Sequence, residues 1–414
     1  MNAPHDADPQ AASEAASEAV VQPAQKRLKI AVLNRHFSPT GGGAERYSIA
    51  LVEQLASRHE IHVFAQQMDH QWPGVTYHRV SQILKRPRWI NQFWYATATW
   101  WATRTGFDIV HSHENTWHGQ VQTVHVLPIK YNLFHGRVGI ARALRWLKVL
   151  TSPRLLAYLW LERARYATQP GRTLVVTSST LQQVIADAHP HTASLLRLLT
   201  PGVAGVPGQS SQIDQHRARQ SLSLPQNAPC ILFVANDFQK KGLTTLLDAI
   251  AQLKDLATLA IVGNSAHAPA FKSQIRSLGL EHRVFFLGAL KDVTPAYLAA
   301  DVLAHPTLQD TFAMVVLEAM AHGLPVIVSD EAHCGIAELL THGDNSLILK
   351  NPRDATELSA HLRSVLESPP RRERLRHGAV TFAQSHQWAA IAQAQEALYF
   401  EVLRVRHPHP EAAP

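Results

Sequence analysis

A chain of 414 residues, 46% hydrophobic and with a formal charge of +7, is long enough to bury two cores and too apolar to be disordered throughout. Two cysteines, Cys230 and Cys334, exclude a disulfide framework and a cysteine-based zinc site. No run reaches the roughly 20 apolar residues of a spanning helix, and the start lacks the basic and apolar regions of a secretory signal. The expectation is a soluble or peripheral protein in a reducing cytoplasm.

Residues 1–26 are rich in Ala, Ser, Glu and Gln and are expected to form a disordered tail. Residues 1–25 carry Asp6, Asp8, Glu14 and Glu18 and no Lys or Arg, which leaves the rest of the chain at about +11. Leu28–Leu33 reads as a buried strand running into a glycine-rich turn and a helix with Ile49, Leu51, Val52 and Leu55 on one face. The turn is neither G-x-G-x-x-G nor a Walker loop, so a dinucleotide or P-loop reading fails. It still brings backbone close to any ligand at the helix start.

After a second strand at Ile61–Ala65 comes an aromatic stretch with Trp89, Phe93, Trp94, Tyr95, Trp100 and Trp101 among basic residues. Such rings suit either the core or a membrane interface. Asp108–His111 is a strand followed by His113, His118 and His125; without an H-E-x-x-H helix or a companion cysteine, hydrogen bonding explains them better than a metal. Residues 144–165 read as helix interrupted at Pro153, with Leu155, Leu159 and Trp160 expected on its buried face. Between Lys130 and Arg172 stand nine Lys or Arg and one acid, Glu162, a basic surface fit for anionic lipid, phosphorylated glycolipid or nucleic acid. Thr173–Ser179 is a strand leading to a serine-capped helix, and Leu198–Pro207 loses periodicity as a domain boundary should.

The second half restarts with the strand Cys230–Ala235, then Asn236 and the pair Lys240-Lys241 directly before a helix-opening glycine. Positive charge and free amides converge there, as a diphosphate requires, although a solvated lysine pair is equally open. Strands follow at Leu259–Gly263 and Val284–Leu287. In the stretch 305–329, apolar Phe312, Val315, Val316, Ala319 and Met320 mark an amphipathic helix ended by Gly323 and followed by the strand Val326–Val328. Asp310 and Thr311 are both good cap residues, so the amides of residues 311–314 should point out of the helix start and attract phosphate. Glu318, two turns on, is placed either to accept from sugar hydroxyls or to face solvent. Strands alternating with helices in two halves argue for two doubly wound α/β domains.

DTFAMVVLEAMAHGLPVI resembles the E-x7-E segment of the retaining GT-B glycosyltransferases of family 4, and further motifs agree with it. GGAER resembles the family's first loop, HSHEN and QTVHV its H-x-H and T-x-H-D strand ends, and NDFQKKG its diphosphate turn. TPGV resembles its hinge, and HCGIAELL its G-x-x-E segment. The resemblance covers residues 28–405. It implies a GT-B fold: an acceptor-binding domain over 27–201, a nucleotide-sugar-binding domain over 202–385, and a last helix over 386–405 crossing back to the first domain.

Carried over position by position, it implies that His125, Lys241 and Asp310 lie at the reacting centre. Lys240, Asn236, Thr311, Phe312, Ala313, Met314 and Glu318 would hold the donor nucleotide and sugar. Gly42, Gly43, His113 and Glu114 would lie on the acceptor and diphosphate side. Asp310, Thr311, Ala313, Asn236 and Val126 stand where the family has Glu, Gly, Gly, Arg and an acid. Within the family, the ANDFQKKG turn, the HPTLQDTFAMVVLEA stretch and the LTSPRLLAYLWLERARY helix region are most similar to enzymes that glucosylate the lipopolysaccharide core. That implies UDP-glucose as donor, a core glycolipid acceptor, peripheral attachment at the cytoplasmic face of the inner membrane, and no metal or cofactor. Alternatives are an O-antigen, capsule or exopolysaccharide acceptor, a relative without activity, and a basic nucleic-acid or membrane binding protein. No helix-turn-helix, RRM or zinc-finger signature accompanies the last of these.

Overall fold

The computed structural model describes residues 26–84, 86–205 and 211–406; all of the expected tail except Lys26 lies outside them. Among the described residues, the main sheet of the first domain holds seven strands: β1 (Lys29–Leu33), β2 (Glu60–Ala65), β3 (Val75–Arg79), β4 (Ile109–Ser112), β5 (Val121–Val124), β6 (Thr173–Val176) and β7 (Leu196–Leu198). They pair in the order β3-β2-β1-β4-β5-β6-β7, all parallel. The second domain holds β8 (Cys230–Val234), β9 (Thr258–Val262), β10 (Val284–Gly288), β11 (Val302–His305), β12 (Val326–Ser329) and β13 (Leu347–Leu349), ordered β10-β9-β8-β11-β12-β13. Both sheets are doubly wound and share the strand order of nucleotide-binding α/β domains, with the switch point beside their first strand.

The strand sequences explain this arrangement. CILFV in β8 and TLAIV in β9 are buried at every position. Strands apolar on both faces need helices on both sides, which is the condition for a parallel sheet. β3, with only intermediate and exposed residues, takes an edge.

The chain crosses between the domains twice, and the two crossings pair with each other. The Val203 amide donates to the His386 carbonyl at 2.8 Å and the Trp388 amide to the Val203 carbonyl at 3.2 Å. The last helix, Trp388–Arg406, then lies on the first domain. Its Tyr399 hydroxyl meets His111 at 2.7 Å, and its Glu396 pairs with Arg58 and His59.

One expectation about burial is corrected, and one left open is decided. Residues 139–165 form two helices, Gly139–Leu150 and Pro153–Arg165, and the second buries Leu161, Glu162 and Arg165 rather than Leu155, Leu159 and Trp160. The inward phase is set by Glu162, which accepts from the amides of Ile129 and Lys130 and faces His189, and by Arg165, which donates to the Thr123 carbonyl. Trp160 is left 52% exposed, stacked on Phe93. Of the aromatic stretch, now the helix Arg88–Thr103, Tyr95 is fully buried while Trp100 and Trp101 face out.

Candidate active site

The C-terminal ends of β1, β4 and β5 face those of β8 and β11 across a cleft, as expected at two switch points. A cavity of about 250 Å³ lies between Gly41–Gly43 and Arg46 on one side and Asn236, Lys241, Gly263 and Val315 on the other. A second, of about 460 Å³, is bounded by Tyr47 and His125 of the first domain and by Lys240, Thr311 and Phe312 of the second. Gly42, Gly43, Lys241, Asp310, Ala313 and Met314 line both cavities, so the two meet there.

Two glycines make this approach possible. Gly242, just after Lys241, has φ +81°, and a Cβ there would lie 1.9 Å from the Pro306 carbonyl oxygen. A Cβ on Gly335 would lie 2.1 Å from the Thr311 carbonyl oxygen. Neither position admits a larger residue without moving the Lys240-Lys241 turn or the 310–314 loop.

Asp310 organises that loop. Its Oδ1 accepts from the amides of Ala313 at 3.0 Å and Phe312 at 3.3 Å, while Oδ2 takes Lys241 Nζ at 2.6 Å and His305 Nε2 at 3.2 Å. Burial pushes its carboxyl up, but His305 and Lys241 outweigh that and hold it well below the usual carboxylate range. The expected fan of free amides is therefore narrower than the sequence suggested. The helix runs from Met314 to Ala321 with Ala313 as its cap residue, and the amides of Phe312 and Ala313 are already spent on Asp310. Those of Met314 and Val315, at the positive end of the helix, keep no partner among the described residues.

The departures from the family pattern have distinct consequences. Ala313 takes φ +72°, a left-handed conformation that glycine adopts freely and alanine at a cost of roughly 1–2 kcal/mol. Thr311 uses its hydroxyl to bridge the domains, donating to the His125 carbonyl at 2.7 Å. Asn236 is exposed at the cavity wall, its side-chain amide 3.5 Å from the Gly41 carbonyl, and Lys240 is exposed toward the larger cavity.

Glu318 opens on an adjoining cavity of about 410 Å³ that shares Arg46 and Met314 with the first. Its Oε2 accepts from Arg46 Nη1 at 2.9 Å and from the Tyr297 hydroxyl at 2.7 Å. On the other wall, His125 Nε2 lies 3.0 Å from His113 Nδ1, and Tyr47 packs edge-on against His125. Burial, with Arg165 nearby, holds His125 down to about 3. His113 lies behind His125 rather than on the cavity, and Glu114 pairs with Arg35 at 3.2 Å, away from the lining of either cavity.

Sequence reasoning missed Arg46, Tyr297, His305 and Glu338. Arg46 was within reach, standing in the GGAER motif already singled out. Glu338 clasps the domains together by accepting from the Ser179 amide at 2.8 Å and the Ser179 hydroxyl at 2.6 Å, at the start of the helix Ser179–Ala188. Among the described residues no group of three or more His, Cys, Asp or Glu is placed to hold a metal ion.

Comparison with known proteins agrees with this geometry. Residues 41–204 match the model described as Glycosyltransferase Family 4, and residues 214–381 the model described as Glycosyl transferases group 1. The chain is 30% identical over 254 residues to the lipopolysaccharide glucosyltransferase WaaG of Escherichia coli K12, an alignment covering 58% of this chain and 66% of that protein. It is 29% identical over 230 residues to a D-inositol 3-phosphate glycosyltransferase of Corynebacterium diphtheriae, covering 51% of each. The chain thus aligns with between half and two thirds of the length of these relatives. The crystal structure of WaaG superposes with a TM-score of 0.75 at 22% identity, covering 90% of this chain and 99% of that one. Anabaena HepE in complex with UDP-glucose superposes at 0.71 and 20%, covering 90% and 99%. With a family 4 match on its first domain, a group 1 match on its second and the two-sheet fold of these structures, the chain belongs to the GT-B glycosyltransferases.

Proposed function

We propose that this chain is a retaining hexosyltransferase that moves glucose from UDP-glucose to a lipopolysaccharide-core acceptor, working peripherally on the anionic cytoplasmic face of the inner membrane. The observation that carries the transfer reading is the meeting of two cavities at Lys241, Asp310 and the helix start, opposite Gly42 and Gly43. A donor diphosphate in the smaller cavity would lie against the Lys241 ammonium and the Met314 and Val315 amides, with Lys240 nearby. As the bond from C1 to phosphate loosens, negative charge grows on the diphosphate, and these donors stabilise it without rearranging. Asp310 keeps the ammonium aimed at the cleft. An acceptor hydroxyl entering from the larger cavity attacks from the face the diphosphate leaves, which retains configuration, and the departing phosphate takes its proton. Glu318 reads the ribose, and His125 the transferring sugar.

The membrane reading rests on the helix Gly139–Leu150. Ile140, Leu144 and Leu147, at helical spacing, are 81%, 62% and 59% exposed, while Val149 on the opposite side is buried. Lys148, one turn after Leu144, borders this outward apolar stripe. An apolar stripe with a cation at its edge fits an anionic bilayer surface, where each added Lys or Arg contributes about 1 kcal/mol. No helix of the described residues is long and apolar enough to cross a membrane. The inositol phosphate relatives favour a second reading, a phosphorylated polyol as acceptor, which gives that stripe no role.

Calorimetric titration with UDP, ADP and GDP, beside Glu318→Ala and Lys241→Ala, tests the donor site. Micromolar UDP binding weakened in both variants is expected, followed by turnover of UDP-glucose. Preference for ADP or GDP would overturn the donor, and no nucleotide binding would overturn the transferase.

A further inference from the structure

His125 and His113 follow neighbouring strands, β5 and β4, and their rings stack with centroids 5.3 Å apart. Only one proton can occupy the 3.0 Å gap between His125 Nε2 and His113 Nδ1 when both rings are neutral. Burial keeps them neutral, with His111 and His125 adding to the effect on His113. The neighbouring His111 is fully committed, Nδ1 to the Tyr399 hydroxyl and Nε2 to the Thr123 hydroxyl, both at 2.7 Å. Arg165, the cation near the cluster among the described residues, donates to the Thr123 carbonyl and the Gln122 side chain.

The second nitrogen of His113 decides where the shared proton sits. His113 is 8% exposed, and its Nε2 is buried with no partner among the described residues. An N–H there would be an orphaned buried donor, at a cost of roughly 1–3 kcal/mol; a bare lone pair is the milder defect. The His113 proton therefore belongs on Nδ1, from which it donates to a bare His125 Nε2. The remaining His125 proton must then sit on Nδ1, which is not enclosed and has no partner among the described residues, in a side chain that lines the larger cavity.

We propose that His113 is a positioning residue that locks His125 in the Nδ1–H tautomer, making it a hydrogen-bond donor to a substrate oxygen and not a proton acceptor. This deepens the transferase reading and rests on it for the identity of that oxygen, a hydroxyl of the transferring sugar. One ring nitrogen carries a proton and the other is filled by His113, so His125 has no free site for the acceptor's proton. That agrees with a mechanism in which the leaving phosphate takes it.

The decisive measurement is a long-range ¹H–¹⁵N correlation spectrum of the full chain labelled with ¹⁵N-histidine, with His125→Ala assigning the ring by subtraction. The Nδ1–H pattern is expected at His125 in the unliganded protein; an Nε2–H pattern overturns the proposal. Two variants test the consequence. His113→Asp offers an acceptor and should draw the proton to His125 Nε2, lowering kcat for UDP-glucose hydrolysis about 10- to 100-fold with little change in UDP affinity. His113→Asn offers a donor amide and should recover most of the loss, whereas equal activity in the two variants overturns the donor role. If either variant does not fold, the wild-type spectrum decides alone. Absence of UDP binding would remove the transferase reading and leave the tautomer result standing.

Discussion

Arg46 of the first domain reaches across the cleft to Glu318 of the second, Nη1 to Oε2 at 2.9 Å. The carboxylate proposed to read the ribose is thus held by both domains, with the Tyr297 hydroxyl completing the grip at 2.7 Å. Both donors use Oε2, which leaves Oε1 for a ligand.

It follows that Arg46→Met should weaken UDP binding about tenfold, a loss of ~1.4 kcal/mol. The pair is partly open to solvent, which limits the effect. Tyr297→Phe should cost less, because Arg46 still orients the carboxylate. Glu318→Ala should abolish discrimination between UDP and 2′-deoxy-UDP, and unchanged discrimination in calorimetry would remove the ribose role.

Ala313→Gly should stabilise the protein. The left-handed alanine costs roughly 1–2 kcal/mol in the fold, and the added freedom of glycine in the unfolded chain costs about 0.4–1 kcal/mol. The difference is a gain of about 0.5–1 kcal/mol, read as a raised urea midpoint with an unchanged slope. A fall in midpoint would mean that φ +72° is not strained here.

Acid should destabilise the fold in two overlapping windows. His111 and His125 are depressed to about 3, so an unfolded chain binds more protons than the folded one below the ordinary histidine value near 6.5. Stability therefore falls as pH drops from about 6.5 toward 3, by at most about 1.4 kcal/mol per pH unit for each ring. Asp310 acts lower down: its folded carboxyl is depressed, so its contribution is complete above the unfolded value near 4 and is lost only as pH falls further. Denaturant titrations between pH 7 and 4 should show a shallower slope in His125→Gln, while Lys241→Met should alter only the acid end.

Replacing Leu144 and Leu147 with Glu should abolish sedimentation with vesicles containing an anionic phospholipid and leave UDP affinity unchanged, since both side chains lie on the exposed stripe away from the cleft. Binding that survives the double substitution would place the membrane contact elsewhere.

Much of this could be read before the fold was known. Buried strands such as CILFV and the LAIV run declare themselves by apolar continuity, and their bounds agree with the structure to within a residue or two. β3, β7 and β13 went unrecognised. The first is a half-exposed edge, and the other two are three-residue strands too short to show a period. Trp160 was misplaced because aromatic character says nothing of helix phase, which the buried Glu162 and Arg165 set through partners far away in sequence.

By itself the sequence determined the alternation of strand and helix and the presence of two α/β sheets, and it marked candidate residues for a diphosphate, because these depend on local periodicity and turn chemistry. Only the tertiary structure decided which of those residues are free to act. Asp310 spends two of the helix-start amides, Arg46 grips Glu318 across the cleft, and His113 stands behind His125. Hydrogen bonds of this kind join residues from separate strands or separate domains, and their donors and acceptors are assigned only once two sheets are brought face to face.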